Sequence, residues 1–394
     1  MIIKDAIAFP GVDFYDLDSE LNDEELMIRD TVRKFVDQKI IPSAGQHFED
    51  GTFPLELIPE FAEMGILGPT LPTKYGCAGV SDLAYGMIMQ ELERGDSGVR
   101  SFVSVHGTLA MYPIYTFGSE DQRQKYLPEM AAGRMIGCFG LTEADHGSDP
   151  GSMETTAVEV DDGYILNGSK MWITNGSVAD VAVVWAKLEG EIHGFIVEKD
   201  TEGFTAIAQK HKLSLRASIT AELYFNDCKI PKANILPGVK GLKGPLATLS
   251  QARFGISFGV LGAAMACYQA ALDYTKERTQ FGRPIASFQL QQAKLAEMLS
   301  EITKGQLVCQ QLAKLKANGK VRPVHISLAK RNNCYWALNI ARTAREMLGA
   351  NGISLEYPVI RHMCNLESVY TYEGTHDIHT LILGQEITGI PAFS

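Results

Sequence analysis

The sequence predicts an α+β protein built in three parts, with helices at both ends and a β-rich block between them, and three observations carry that expectation. Apolar side chains recur every three to four residues from about 20 to 133. From about 134 to 240 that texture gives way to short β-rich runs separated by turns. From about 246 helical periodicity returns in long pieces, the pattern of a four-helix bundle. The expected division is an N-terminal helical domain over 1–133, a middle antiparallel β domain over 134–245 and a C-terminal helical bundle over 246–394.

The first helix is read from Leu26, Ile28, Val32, Phe35 and Val36. Asn22 and Glu25 resemble a reciprocal N-terminal cap, and Pro42 is expected to end the segment. Further helices are expected over 55–64, 82–94, 100–116 and 120–132. Strands are expected over 157–160, 164–166, 181–186, 194–198 and 222–225, with Asp161-Asp162-Gly163 and Asn167-Gly168 as turns, closing into a small barrel or sandwich. The C-terminal helices are expected over 248–278, 287–318, 322–349 and 377–388, joined by loops.

Composition excludes several classes. With 45% hydrophobic and 21% charged residues the chain can bury a large core, and no stretch reads as disordered. A net charge of -11 argues against nucleic acid or an anionic membrane surface as the main partner, so a polyanionic ligand must meet local positive charge. Cys77, Cys138, Cys228, Cys267, Cys309, Cys334 and Cys364 are scattered without metal-binding spacing, which points to a reducing compartment. Met1 to Leu17 reads as neither a signal nor a transit peptide, and no apolar run is read as long enough to span a bilayer. A cytoplasmic protein is expected, or a mitochondrial matrix protein if the source is eukaryotic. His376 and His379 stand at helical spacing without a third ligand motif, so no metal is assigned.

The segment Tyr372-Glu373-Gly374-Thr375-His376-Asp377 reads as a tight turn entering a helix, a place where backbone approaches a ligand closely and a carboxylate can act as a base. A Glu before a helix is more often a solvated residue complementing the helix dipole. No dinucleotide or phosphate-loop fingerprint is present. Thr142, Gly147 and Ser148 offer a hydroxyl and backbone donors, or simply form a polar turn. Trp172 and Thr174 end a strand with an aromatic ring and a hydroxyl, or are packing residues. Arg278, Gln280 and Phe281 follow a helix whose dipole a cation would complement.

Taken in order, Gly140 to Asp149, Trp172 to Gly176, Arg278 to Gly282, Met347 to Gly352 and the Glu373 turn resemble the acyl-CoA dehydrogenase family along essentially the whole chain. The resemblance implies FAD as cofactor and Glu373 as the base that removes the substrate α-proton. It implies that Phe139, Leu141, Thr142, Gly147, Ser148, Trp172, Thr174, Glu346, Gly349 and Thr375 lie along the flavin. Arg278, Gln280 and Phe281 would reach the FAD of a neighbouring subunit, making a homo-oligomer, usually a tetramer. Arg253 and Gly374 would line the substrate. It also implies an oxyanion hole formed by the backbone N–H of the base and a ribityl hydroxyl.

Within the family, Glu91 to Ser104 and Ser214 to Ser218 look most like the glutaryl-CoA branch. There Arg100 would bind the distal carboxylate, helped by Glu93 and Ser104, since a carboxylate in an apolar pocket calls for a planar bidentate cation. Tyr372 and Glu93 match the decarboxylating pattern, which gives crotonyl-CoA and carbon dioxide, with electrons passing to an electron-transfer flavoprotein. A dehydrogenase for a short straight or branched acyl-CoA, with Arg100 structural, is the other enzymatic reading, and a non-catalytic acyl-CoA- or flavin-binding module is the reading from a different class. The chain departs from the family at His146, Ala350 and His106, the last expected in the wall of the acyl pocket.

Overall fold

The computed structural model describes residues 11–393. Its first helix, α1 (Asp23–Phe35), starts with a capping box: Asn22 accepts from the Glu25 N–H at 2.9 Å and Glu25 accepts from the Asn22 N–H at 3.1 Å. Pro42 does not end the segment. A π-helical turn over Val36–Ile40 carries the chain into α2 (Ile41–Asp50), with Pro42 in the first turn of α2, just after the widened turn. The helices α3 (Ile58–Glu63), α4 (Asp82–Gly95), α5 (Ser97–Ser104), α6 (Tyr112–Phe117) and α7 (Glu120–Ala131) follow, a second π turn (Val105–Met111) joining α5 to α6.

The middle of the chain is one seven-stranded sheet made of β1 (Gly137–Gly140), β2 (Thr156–Val160), β3 (Gly163–Thr174), β4 (Val181–Leu188), β5 (Glu191–Glu198), β6 (Phe204–Ala208) and β7 (Thr220–Pro231). Its order is β1-β4-β2-β3-β7-β6, with β5 also paired to β4. The hairpins are antiparallel as expected, but β1 and β2 both run parallel to β4, pairing with its opposite ends. These two pairings join segments distant in sequence, so no turn motif announces them. β1 and β6 were not among the expected strands.

The C-terminal part consists of α8 (Lys243–Glu277), a short hairpin of β8 (Thr279–Gln280) and β9 (Arg283–Pro284), then α9 (Gln289–Ala317), α10 (Pro323–Met347), α11 (Pro358–Thr371) and α12 (His376–Thr388). α11 fills a stretch expected to be loop. Its buried Val359, Leu366 and Val369 keep helical spacing, and its polar face carries Arg361 and Asn365 onto the buried Asp96 at 2.6 and 3.1 Å. α8 is long and apolar enough to cross a bilayer, contrary to the expectation that no run was, but 78% of that apolar window is buried inside the protein. Its composition is that of a central core helix, apolar all round because neighbours surround it.

One hydrophobic core runs through both helical parts, from Val32, Ile88 and Leu92 to Phe254, Leu338 and Leu366. α4 and α8 approach closely within it because α8 presents glycine: a Cβ at Gly262 would sit 1.9 Å from the Gln90 carbonyl oxygen, and one at Gly259 would sit 2.2 Å from Oε2 of Glu93.

Candidate active site

The turn between α11 and α12 holds Glu373 in the left-handed region at φ 53°, which a side chain adopts only when its surroundings impose it. Gly374 follows at φ 91°, and a Cβ there would meet the imidazole of His379 at 2.9 Å. Thr375 then caps α12, its hydroxyl accepting from the Ile378 N–H at 3.1 Å. Three successive carbonyls of the turn are each met by a buried cation. Arg253 Nε donates to Glu373 O at 2.6 Å, and Lys330 Nζ donates to Tyr372 O at 2.6 Å and Gly374 O at 2.8 Å. Among the described residues, Glu373 Oε2 is buried with no hydrogen bond. Burial pushes the Glu373 carboxyl up to about 7, against the pull of Arg100, Arg253 and Lys330.

Beside this turn lies a buried ionic cluster. Arg100 Nε donates to Oε2 of Glu93 at 2.6 Å, and one of its terminal nitrogens donates to the Tyr372 hydroxyl. Burial works against the guanidinium charge, but Glu93 and Tyr372 outweigh it and hold Arg100 above its ordinary range. Ser101 brings its hydroxyl within 3.4 Å of the Tyr372 oxygen. The Ser104 hydroxyl lies 3.5 Å from Thr108 Oγ1, which in turn donates to the Ser104 carbonyl at 2.6 Å.

Both ring nitrogens of His106 are taken up by backbone groups of the protein. The residue is wholly buried, with Nδ1 accepting from the Gly137 N–H at 3.1 Å and Nε2 donating to Met130 O at 3.0 Å, so it staples β1 to the end of α7. Burial drives it down to about 4 and keeps it neutral, as this pair of bonds requires. His379 is also buried, and burial reinforced by Lys330 and Arg253 takes it down to about 3 against the opposing backbone contact of Glu373. His146 lies near the surface, 3.4 Å from Glu154, and Ala350 is exposed.

The remaining predicted residues fall into two groups. Phe139 and Leu141 are buried at the end of β1, while Thr142 is half-exposed and Gly147 and Ser148 are exposed on the loop that follows. That loop is tied to β3 by the Met171 N–H donating to Thr142 O at 2.8 Å. Next to this tie a β-bulge breaks the register of β3 and sets Trp172 at φ 63°, turning its indole outward, with half-exposed Thr174 two residues on. Arg278, Gln280, Phe281, Glu346 and Gly349 form the second group, all exposed. Phe281, in the turn between β8 and β9, is 93% exposed.

Comparison with known proteins decides the family. The N-terminal, middle and C-terminal domain models of acyl-CoA dehydrogenase match residues 22–134, 138–228 and 240–388. The chain belongs to the acyl-CoA dehydrogenase family. It is similar to the crystal structure of glutaryl-CoA dehydrogenase from Mycobacterium smegmatis, at 54% identity and a TM-score of 0.96 over 98% of this chain and 100% of that one. It is also similar to a glutaryl-CoA dehydrogenase from M. smegmatis in complex with FADH2, at 49% identity and a TM-score of 0.96 over 97% and 99%. The short-chain specific acyl-CoA dehydrogenase of Megasphaera elsdenii is 36% identical over 93% of this chain and 99% of its own.

Two features of this acyl-CoA dehydrogenase were not singled out in the sequence. Lys330 sits on the apolar stripe of α10 with Ile326, Asn333, Cys334 and Ala337, and a charged residue on a buried stripe is the signal that could have found it. Glu143 lies within the loop after β1 and accepts from the Glu154 N–H at 2.6 Å, the Thr155 N–H at 3.0 Å and Lys170 Nζ at 2.7 Å. Burial opposes its charge, but these donors win and hold the Glu143 carboxyl down at about 2. The pair anchors the loop that carries Thr142, Gly147 and Ser148.

Proposed function

We propose that this chain catalyses the FAD-dependent oxidative decarboxylation of glutaryl-CoA to crotonyl-CoA and carbon dioxide, with Glu373 as the base. The observation that carries the reading is the buried Arg100–Glu93–Tyr372 cluster set directly against the turn that holds Glu373. A diacid thioester needs a cation at the far end of an otherwise apolar pocket and a base at its α-carbon, and the two are adjacent here.

FAD fits the open side of the β domain. The Thr142 and Thr174 hydroxyls make no hydrogen bond among the described residues, Trp172 turns its ring out of the sheet, and a Cβ at Gly147 would meet nothing within 4 Å. Thr142, Ser148, Trp172 and Thr174 would hold the flavin there, with Phe139, Leu141 and Gly147 alongside and Glu346, Gly349 and Thr375 contributing from the helical part. When bound, FAD would accept the hydride that leaves the substrate β-carbon.

Glu373 removes the α-proton. Its pKa near 7 makes it a stronger base than an ordinary carboxylate while leaving it largely ionised above neutrality. Among the described residues its N–H has no backbone acceptor, leaving that donor for the thioester oxygen as charge develops there. Arg253 and Gly374 flank the same position. In the unsaturated product the double bond is conjugated to the thioester, and the γ-carbon beside it carries the distal carboxylate. Its carbon–carbon bond breaks, carbon dioxide departs, and the electron pair delocalises to the thioester until Glu373, protonated in the first half, returns the proton. An electron-transfer flavoprotein is the acceptor that completes the cycle.

The exposure of Arg278, Gln280 and Phe281, together with exposed Leu290, Ile387 and Ile390, supports a homo-oligomer, read as a tetramer, in which these residues serve a neighbouring subunit's flavin.

One observation favours a second reading. The Arg100 charge is already met by Glu93, so Arg100 could be structural and the substrate a short straight or branched acyl-CoA. Anaerobic mixing of the yellow protein with glutaryl-CoA and, separately, butyryl-CoA distinguishes the two. Rapid flavin bleaching with glutaryl-CoA, and crotonyl-CoA by mass once an acceptor is added, supports the first; preference for butyryl-CoA overturns it in favour of the second.

A further inference from the structure

We propose that Lys330 is a positioning residue for the base: by bridging the carbonyls on either side of Glu373, its ammonium locks the carboxylate-bearing residue in its left-handed conformation and sets a positive charge beneath it. The inference rests on the assignment of Glu373 as the base. Lys330 is 1% exposed, and it donates to Tyr372 O at 2.6 Å and Gly374 O at 2.8 Å. Arg253 takes the carbonyl between them at 2.6 Å. A turn with a non-glycine residue at φ 53° followed by Gly374 at φ 91° points its carbonyls inward, where each needs a donor, and α10 and α8 supply those donors from opposite directions.

A buried lysine is costly, and a neutral hydrogen-bonding side chain could satisfy one carbonyl at lower cost. What the lysine adds is reach to both carbonyls at once, and charge. The charged or titratable groups facing it are Glu373 and Tyr372 of the turn, Arg253 on α8, Arg100 on α5, Cys334 on its own helix, and His376 and His379 on α12. Burial brings Lys330 itself down to about 8, so it is charged at neutral pH. Among the described residues Glu373 Oε2 has no hydrogen-bond donor, so the ionised base relies on the field of these cations.

The test uses the full-length holoenzyme carrying Lys330→Met, which removes donor and charge, and Lys330→Gln, which keeps a donor and removes the charge and so also guards against a variant that fails to fold. Glu373 ionisation is read without substrate, by infrared titration of its carboxyl band against a Glu373→Gln reference. Both variants should titrate at higher pH than the wild type. Turnover of the preferred acyl-CoA at pH 7 should fall on the order of a hundredfold in Lys330→Met, mostly in kcat, and less in Lys330→Gln, because a misplaced reacting group loses rate at that scale. An unshifted carboxyl titration in both variants overturns the role of Lys330 whatever the enzyme turns over. A shifted titration in an enzyme whose wild type dehydrogenates no acyl-CoA supports the Lys330–Glu373 link and overturns the assignment of Glu373 as base.

Discussion

Arg100 Nε lies 2.6 Å from Oε2 of Glu93, seven residues back along the chain, and both side chains are almost wholly buried. α4 carries the acid and α5 the cation, and Gly259 of α8 leaves the space that the carboxylate fills. The pair fixes the guanidinium next to Tyr372, one residue before the base.

Arg100→Met should therefore separate substrates. We expect kcat/KM for glutaryl-CoA to fall about a hundredfold or more, the scale for losing a buried charged partner, with a much smaller loss for butyryl-CoA. Because Glu93 is left unpaired, the single variant should also lose about 3 to 5 kcal/mol of stability, and Arg100→Met with Glu93→Gln should recover most of that without recovering selectivity. Equal losses for both substrates would make Arg100 structural.

Glu373 links activity and stability to pH in opposite senses. Its folded pKa of about 7 exceeds the ordinary carboxyl value of 4.5, so the folded state binds the proton more tightly than the unfolded chain. The stability from the protonated form is complete below 4.5 and is lost as pH rises through 7, in total on the order of 3 kcal/mol. The rate should rise through the same window as the base ionises. Glu373→Gln should abolish flavin reduction by acyl-CoA, keep FAD, and flatten the pH dependence of urea unfolding between those values.

Gly262→Ala tests the contact between α4 and α8. The added Cβ would lie 1.9 Å from a backbone oxygen that no rotamer change can move, so the helices must separate. A loss of about 1 to 3 kcal/mol, in the range for overpacking, should appear in chemical denaturation together with weaker discrimination for glutaryl-CoA, because α4 also carries Glu93.

His106→Ala should cost about 1 to 3 kcal/mol by taking the side-chain acceptor from the buried Gly137 N–H and one of the donors from the Met130 carbonyl. The ratio of activities on glutaryl-CoA and butyryl-CoA should not change. The wild-type histidine is depressed to about 4, so it favours the folded state above its ordinary value of 6.5 and that contribution fades as pH falls through 4. A changed substrate ratio in the variant would return His106 to the acyl pocket.

Much of this architecture was legible because it is local. Asn22 and Glu25 form the expected capping box, α4 and α7 lie within a residue or two of their expected spans, and Glu373 enters α12 through the turn read from Glu-Gly-Thr. Where reading failed, a second segment had overridden a local signal. Pro42 looked like a stop but was absorbed by a π turn, α11 looked like loop until its buried face met α5 and α10, and β1 and β2 found a parallel partner in β4.

The sequence by itself determined the helix–strand–helix order, the caps and the placement of a carboxylate on a glycine turn, since periodicity, capping and turn chemistry act within a few residues. Only the tertiary structure decided that Arg100 meets a tyrosine 272 residues away, that Lys330 and Arg253 hold the turn of Glu373, and that the carboxyl is raised to about 7. Desolvation and ion pairing depend on every group packed around a charge, and those groups come from helices that only folding brings together.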